Sequence, residues 1–403
     1  MKWPTAKFSE LFRVKHGYAF KSQFFDTSGS YVLLTPGSFH EEGGYREQGE
    51  KTKFYTGDVP DGFTLDEGDL LVAMTEQAPG LLGSSAWIPE SNRFLHNQRL
   101  GRIVDVDEHR LDRRFLYYLF NARGVRHQIS GSASGTKVRH TAPERIGRVE
   151  VNLPPIQAQR TIAKTLTAYD ELMENNRRRM ELLGESARLL YREWFIRFCF
   201  PGHEHAKITR GLPQGWAQRC LGEIAEVNRA TLSKCYDGEI EYVDISSVLP
   251  GHITETTTYD FREAPSRARR IVRHGDIIWS CVRPNRRSHA VIWNPPDNLI
   301  VSTGFAVITP AGAPSTFIYL ATTTDSFVGH LENHARGAAY PAVVAADFER
   351  AKILVPPKKL LESFAEIVEP TFSQIYNLRQ QNQKLHVARD LLLPRLMTGE
   401  IVV

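Results

Sequence analysis

Two stretches of this chain share one spacing, and no other feature constrains the fold as tightly. From Ile162 a four-three alternation runs through Leu166, Tyr169, Met173, Asn176, Met180, Leu183, Ala187, Leu190 and Trp194. It recurs at Phe364, Val368, Thr371, Ile375, Leu378, Asn382, Leu385, Arg389, Leu392 and Leu396. Such a seam follows one face of an α-helix and meets a second helix along its length, as in a coiled coil. The first helix is expected over about 157–197, a rod of roughly 60 Å at ~1.5 Å per residue. The second begins near 358, bends near Pro370 and stops at Pro394, because proline lacks the N–H that continues the ladder. Each seam holds one Asn. Setting Asn176 against Asn382 in an antiparallel pair opposes Leu166 to Leu392, Met173 to Leu385, Met180 to Leu378, Leu183 to Ile375 and Trp194 to Phe364. Tyr169 then faces Arg389, whose stem can lie along the ring. A buried polar pair of this kind fixes helix register at some expense of stability.

The repetition extends beyond the helices. Gly68-Asp69-Leu70-Leu71 recurs as Gly275-Asp276-Ile277-Ile278, and Val151-Asn152-Leu153-Pro154-Pro155 as Ile353-Leu354-Val355-Pro356-Pro357. The openings Trp3…Leu11-Phe12-Arg13-Val14 and Trp216…Leu221-Gly222-Glu223-Ile224 correspond as well. Three features in one order, twice, imply an internal duplication. Short β-rich runs bounded by Gly, Pro or Asp fill the rest, among them Asp69–Ala73, Gly101–Val106, Glu239–Ile245, Asp276–Cys281 and Ala306–Thr309. Short helices are expected at Arg113–Asn121 and Ser315–Ala321. The fold class is therefore α+β. Mostly β domains at 1–152 and 201–354 are joined by two long antiparallel coiled-coil helices, at 153–200 and at 355–403 with the C-terminal tail, in a pseudo-two-fold internal repeat. With antiparallel helices the second domain closes as an insertion, and the two domains stand at opposite ends of a spacer. A duplex has a matching two-fold axis, so this geometry suits a split DNA site.

Composition narrows the function classes. Charged residues make up 24% of the 403 residues and aromatics 10%, which is ordinary for a globular protein and excludes wholesale disorder. No apolar run approaches the ~18–20 residues of a membrane span, and the start lacks the apolar core of a signal peptide, so a cytoplasmic protein is expected. Cys199, Cys220, Cys235 and Cys281 form no CxxC pair. Catalytic signals are missing. Asn294-Pro295-Pro296-Asp297 lacks the aromatic of an amino-methyltransferase motif, Gly131…Gly135-Thr136-Lys137 has the wrong spacing for a phosphate loop, and Cys199…His203-Glu204-His205 has no second ligand pair for a metal. No catalytic residue and no metal ligand is assigned.

Net charge is only +4, so nucleic-acid binding must come from local clusters. One lies at 123–148 around the small-residue loop Ser130–Lys137, where hydroxyls, backbone N–H groups and Lys can hold phosphates. Its candidate contacts are Arg126, Ser134, Thr136, Lys137 and Arg139; the matching loop in the second half offers Arg336 and Tyr340. A sharper cluster carries Arg267, Arg269 and Arg270, then Arg283, Asn285, Arg286 and Arg287 directly after the Gly-Asp strand. Arg pairs bidentately with guanine and Asn with adenine. The first half has Glu76 and Gln77 at the matching place. A repeated scaffold with unlike edges is what two domains reading different sequences should have.

Together these features resemble one family. "Leu-Pro-Pro-Ile-Gln-Ala-Gln-Arg" (153–160), "Val-Pro-Pro-Lys" (355–358), "His-Gly-Tyr-Ala-Phe-Lys-Ser" (16–22) and "Leu-Leu-Leu-Pro-Arg-Leu-Met-Thr-Gly-Glu-Ile" (391–401) look like the DNA specificity subunit of type I restriction-modification systems. The resemblance implies two target-recognition domains for the halves of a split, asymmetric site in double-stranded DNA. It implies helices that set the gap and dock two methyltransferase subunits, and separate restriction/translocase subunits. S-adenosylmethionine, ATP and Mg are expected on those partners, and no cofactor on this chain, which is not itself an enzyme. One departure is the second helix opening, where Lys358-Lys359 stands in place of the Gln-containing run. The alternative class is a helical scaffold whose globular domains bind a partner other than DNA.

Overall fold

The computed structural model describes residues 3–76, 80–209 and 211–401. The chain divides into two compact units, Met1–Glu174 with Gln383–Val403, and Asn175–Asn382. A central helix, Ile156–Tyr191, and a distal helix, Lys358–Thr398, each contribute to both units.

The seam pairs antiparallel. In the second unit Asn176 Nδ2 donates to Asn382 Oδ1 at 2.9 Å and to Gln381 Oε1 at 3.1 Å. Further along, the rings of Trp194 and Phe364 lie 5.7 Å apart. At the Tyr169 layer the guanidinium of Arg389 has a charged partner. Arg389 donates to Asp170 at 2.8 Å, and the Tyr118 hydroxyl donates to the same carboxylate at 2.6 Å. A guanidinium is better satisfied by a charged acceptor than by a ring face.

Neither proline ends the distal helix. Pro370 and Pro394 are exposed, as are Glu366 and Asp390, whose carbonyls they leave without a helical donor, so water can replace the lost bonds. The stop comes at Gly399 instead. Its φ of 72° reverses the chain, Gly399 N–H donates to Leu396 O at 3.3 Å and Glu400 N–H to Arg395 O at 3.0 Å, the paired bonds of a Schellman cap.

Each unit builds the same two sheets. In the first, Arg13–His16, Leu100–Val104, Leu70–Ala73 and Ser85–Trp87 form an antiparallel sheet in that order. In the second, Ala225–Val227, Phe305–Pro310, Ile277–Ser280 and His289–Val291 repeat it. Another four-stranded sheet in each contains one parallel pair, Tyr31–Leu33 with Phe94–Leu95 and Glu239–Val243 with Leu299–Ser302. The copies part at its edge. The outer strand of the first unit, Phe25–Asp26, adds beside Phe54–Tyr55, whereas Ala268–Ile271 adds beside Leu299–Ser302. That extra edge carries the first part of the arginine cluster.

The Gly-Asp motif explains itself in both copies. Gly68 and Gly275 adopt φ of 78° and 85°, and the following Asp turns back to accept a backbone N–H, Asp69 from Asp66 at 2.9 Å and Asp276 from Arg273 at 2.8 Å. The strand it launches is buried on both faces. Leu70 and Val72 join the core around Phe115 and Phe120, while Leu71 and Ala73 join the core around Val32 and Phe94. Ile277 with Trp279, and Ile278, divide in the same way.

The helix openings differ for a reason visible in the packing. Gln159 is fully buried and bonds to three backbone groups, at Asp112, Arg110 and Pro154. The repeat puts Leu361 there, buried in an apolar cluster with Phe364 and Val355. The second opening lacks the Gln because its neighbours offer apolar surface instead.

Candidate nucleic-acid interface

The two small-residue loops are one turn made twice. Ser134 and His140 exchange backbone hydrogen bonds at 3.0 and 2.8 Å, and Arg336 and Ala342 do so at 2.9 and 2.9 Å. Gly135 and Gly337, both at φ 101°, begin the turn. A side chain at Gly135 would place its Cβ 2.1 Å from the Val138 carbonyl oxygen, so this residue must be glycine. Each turn returns beside the strand that follows the Gly-Asp motif, through Thr141 N–H to Met74 O and Val343 N–H to Cys281 O, both at 2.9 Å. The frame is common and the exposed tips are not: Thr136 and Lys137 in the first unit, Ala338 and Ala339 leading to Tyr340 in the second.

Within the first unit the expected set divides by burial. Ser134, Thr136 and Lys137 are exposed, and Ser134 Oγ accepts from Arg145 at 3.0 Å. Glu76 departs from the expectation. It is 3% exposed, accepts from the N–H groups of Gly80, Leu81 and Leu82 at 3.1, 3.1 and 2.9 Å, and pairs with Arg139 at 3.1 Å. Arg139 also donates to Ser130 Oγ at 2.8 Å, and Arg126 donates to the carbonyls of Leu82, at 2.8 Å, Glu41, at 2.9 Å, and Gly80. Burial lowers the pKa of Arg126, and Glu76 and Glu41 oppose that shift. These three side chains hold the Gly80–Leu82 backbone and the turn in place, with the Glu76 carboxylate turned inward. Gln77 lies outside the described residues.

Within the second unit the equivalent of Glu76 is Arg283, a reversal of charge at one place in one frame. Both follow a residue paired to the returning turn, Thr75 with His140 and Val282 with Ala342. Arg283 N–H donates to Pro341 O at 2.7 Å and its guanidinium lies 4.6 Å over the Tyr340 ring, which is 69% exposed. Arg283 and Arg287 both sit in the left-handed region, at φ 51° and 53°, a conformation unfavourable for a side chain with a Cβ. They flank the tight turn Pro284–Arg286, which presents Asn285 and Arg286 to solvent. Arg287 is engaged by Asp325, and Arg336 lies 3.7 Å from the buried Asp347. The second part of the cluster is adjacent. Thr303 N–H donates to Arg267 O and Cys281 N–H to Gly304 O, both at 2.8 Å, so one turn joins the two arginine stretches. Arg267 is exposed, Arg269 lies 4.5 Å over the Phe261 ring, and Arg270 donates to Thr231 Oγ1 at 3.2 Å.

The arrangement can bind an anionic backbone and present Asn, Arg and Tyr edges to bases. Burial pushes the Cys281 thiol up to about 11, which keeps the sulfur protonated. Among the described residues one group could hold a metal by distance, Glu42, His386 and Asp390. The Arg389 guanidinium already meets both of its carboxylates, at 3.7 and 2.9 Å. Sequence reasoning missed this knot and Gln159, because each joins positions far apart in the chain. No helix among the described residues is long and apolar enough to cross a membrane.

Residues 1–183 match the family model of the type I restriction modification DNA specificity domain. The MjaIX type I restriction enzyme specificity subunit of Methanocaldococcus jannaschii is 24% identical over 322 residues, covering 77% of this chain and 74% of that one. The EcoBI specificity subunit of Escherichia coli is 25% identical over 244 residues, 56% of this chain and 47% of that one. Among solved structures, the type I restriction-modification S subunit from M. genitalium superposes with a TM-score of 0.60 at 18% identity, over 98% of this chain and 96% of that one. At that identity the likeness establishes a shared fold.

Proposed function

We propose how this chain, a type I restriction-modification specificity subunit, carries out recognition: each unit reads one half of a split, asymmetric site in double-stranded DNA. The observation that carries the reading is the shared turn-and-strand frame with opposite chemistry at one position, Glu76 tied inward and Arg283 presented beside Tyr340. A frame that repeats while its edge changes is suited to two different half-sites. In the second unit Arg286 and Asn285 are the base-reading candidates, with Arg267, Arg269, Arg270 and Arg336 on phosphates. In the first, Ser134, Thr136 and Lys137 make the backbone contacts. The paired helices set the distance between half-sites and dock two methyltransferase subunits. Methylation with S-adenosylmethionine and ATP- and Mg-dependent translocation and cleavage belong to those and to restriction subunits, in the cytoplasm, and this chain is the non-catalytic reader.

The test is adenine methylation mapped across the genome of cells with and without this chain, the methyltransferase partner being present in both. A split motif that disappears with the chain supports the reading and reports both half-sites. If methylation is unchanged and the purified complex binds no duplex preferentially, the reading fails and the scaffold class takes its place.

A further inference from the structure

The internal repeat extends to a pair of cavities that the DNA reading does not use. In the first unit a cavity of about 330 Å³ is lined by Tyr117, Tyr118, Asp170, Arg389 and Asp390. Its guanidinium is neutralised from within, Arg389 meeting Asp170 at 2.8 Å and Asp390 at 2.9 Å. In the second unit a cavity of about 460 Å³ occupies the corresponding place, with Tyr319 and Leu320 where Tyr117 and Tyr118 stand, and Phe372 in place of Asp170. Here the cations are unequally served. Arg177 pairs with Glu181 at 2.6 Å and Arg188 with Glu185 at 3.0 Å. Arg379, half-buried beside Tyr319 and His252, makes no hydrogen bond or ion pair with any described residue. Burial lowers its pKa, as it does that of His252 beside it.

A guanidinium half-withdrawn from water without a counter-ion loses part of its hydration, and an anion entering the cavity supplies the missing charge. The walls say what else that anion carries. Trp293 and Phe372 lie 6.0 Å apart at 34°, and Phe372 meets Tyr319 edge-on at 5.5 Å, an apolar and aromatic lining with one unmatched cation. The volume falls in the ~300–1,000 Å³ range of small-molecule sites. We propose that this cavity binds a small anion with a planar apolar body, about the size of a nucleoside monophosphate, whose phosphate or carboxylate pairs with Arg379. The ring packs on the Trp293–Phe372 wall. The site lies wholly within the second unit and rests on none of the residues assigned to DNA.

The experiment is calorimetric titration of the full chain with adenosine 5′-monophosphate, 2-naphthoate and adenosine. At least one of the two anions is expected to bind with a sub-millimolar Kd, and uncharged adenosine at least 10-fold more weakly; the preferred anion tells a phosphate from a carboxylate site. Arg379→Met should lose the anion at least 10-fold while raising the midpoint of thermal unfolding, because a half-buried unpaired charge has gone. Arg379→Lys should keep binding within a few fold. Phe372→Asp, which copies the self-neutralised state of the first unit, should abolish it. No binding of either anion below 1 mM overturns the proposal, as does unchanged affinity in both R379M and F372D. Arg286→Ala should leave this binding unchanged, so failure here and failure of the DNA reading are separable.

Discussion

Replacing Gln159 by leucine exchanges one copy's solution for the other's, and its effect can be worked from the structure. Gln159 Oε1 accepts from Asp112 N–H at 2.9 Å, and Nε2 donates to the carbonyls of Arg110 at 2.7 Å and Pro154 at 2.8 Å. At about 1 kcal/mol net per neutral bond, losing three costs about 3 kcal/mol. The apolar surface that leucine buries returns roughly 1–2 kcal/mol. The net loss is about 1–2 kcal/mol, which for a unit of this size lowers the midpoint of its unfolding by roughly 2–8 °C. The effect should spread to the helix Arg113–Asn121, since the Asp112 carboxylate caps it through the N–H groups of Arg114 and Phe115, both at 3.0 Å. Scanning calorimetry with amide hydrogen exchange resolves both points. Faster exchange should appear at Asp112 and Phe115 and spare the second unit. The reverse change, Leu361→Gln, places an amide among apolar side chains and should lower the second unit's stability by about 2 kcal/mol. An unchanged or raised midpoint in Q159L would refute the view that these three bonds hold the helix to its domain.

Arg286→Ala should weaken recognition of one half-site by about 1–3 kcal/mol and leave the other unchanged, read by binding to duplexes altered in one half at a time; equal loss on all sequences would make Arg286 a phosphate contact. Gly135→Ala should disorder its turn more than Gly337→Ala, because the new Cβ meets a carbonyl oxygen at 2.1 Å in the first case and 3.1 Å in the second; hydrogen exchange at His140 and Ala342 is the measure. Acid should destabilise both units. Burial lowers His96 and His289 from 6.5 to about 4, so the folded state takes up these protons later than the unfolded chain. Stability is then full above about 6.5 and falls towards pH 4, by roughly 3 kcal/mol for each histidine, and His96→Gln should flatten the first unit's pH dependence. Inserting one heptad into each long helix should move the spacing between half-sites without changing the bases read in either; altered bases would defeat the spacer model.

The parts of the fold legible in the sequence are those built by neighbours in the chain. The four-three seam, the Asn pair and the Gly-Asp turn depend on spacing within a few residues, and the antiparallel register follows once Asn176 is matched to Asn382. The stop of the distal helix was less legible. Proline is a strong local signal, but the helix passes Pro394 on its exposed side and ends where Gly399 can turn back. Strand order was not legible, because Phe25–Asp26 and Ala268–Ile271 join opposite edges through contacts that no local pattern records.

The site shows the same division. The sequence alone places Thr136-Lys137 on a small-residue loop and Asn285-Arg286 directly after the Gly-Asp strand, and marks Glu76 and Arg283 as unlike residues at like places. It also determines that the chain is a duplication joined by helices, since periodicity and repetition survive in one dimension. Only the tertiary structure decides which charges face inward. Glu76 and Arg126 are spent on the backbone of Gly80–Leu82, Arg139 on Glu76 and Ser130, Arg389 is neutralised by Asp170, and Arg379 is left with no counter-charge among the described residues. An ion pair or a hydrogen bond forms only when its atoms come within about 4 Å, and positions dozens to hundreds of residues apart come that close only when the chain has folded.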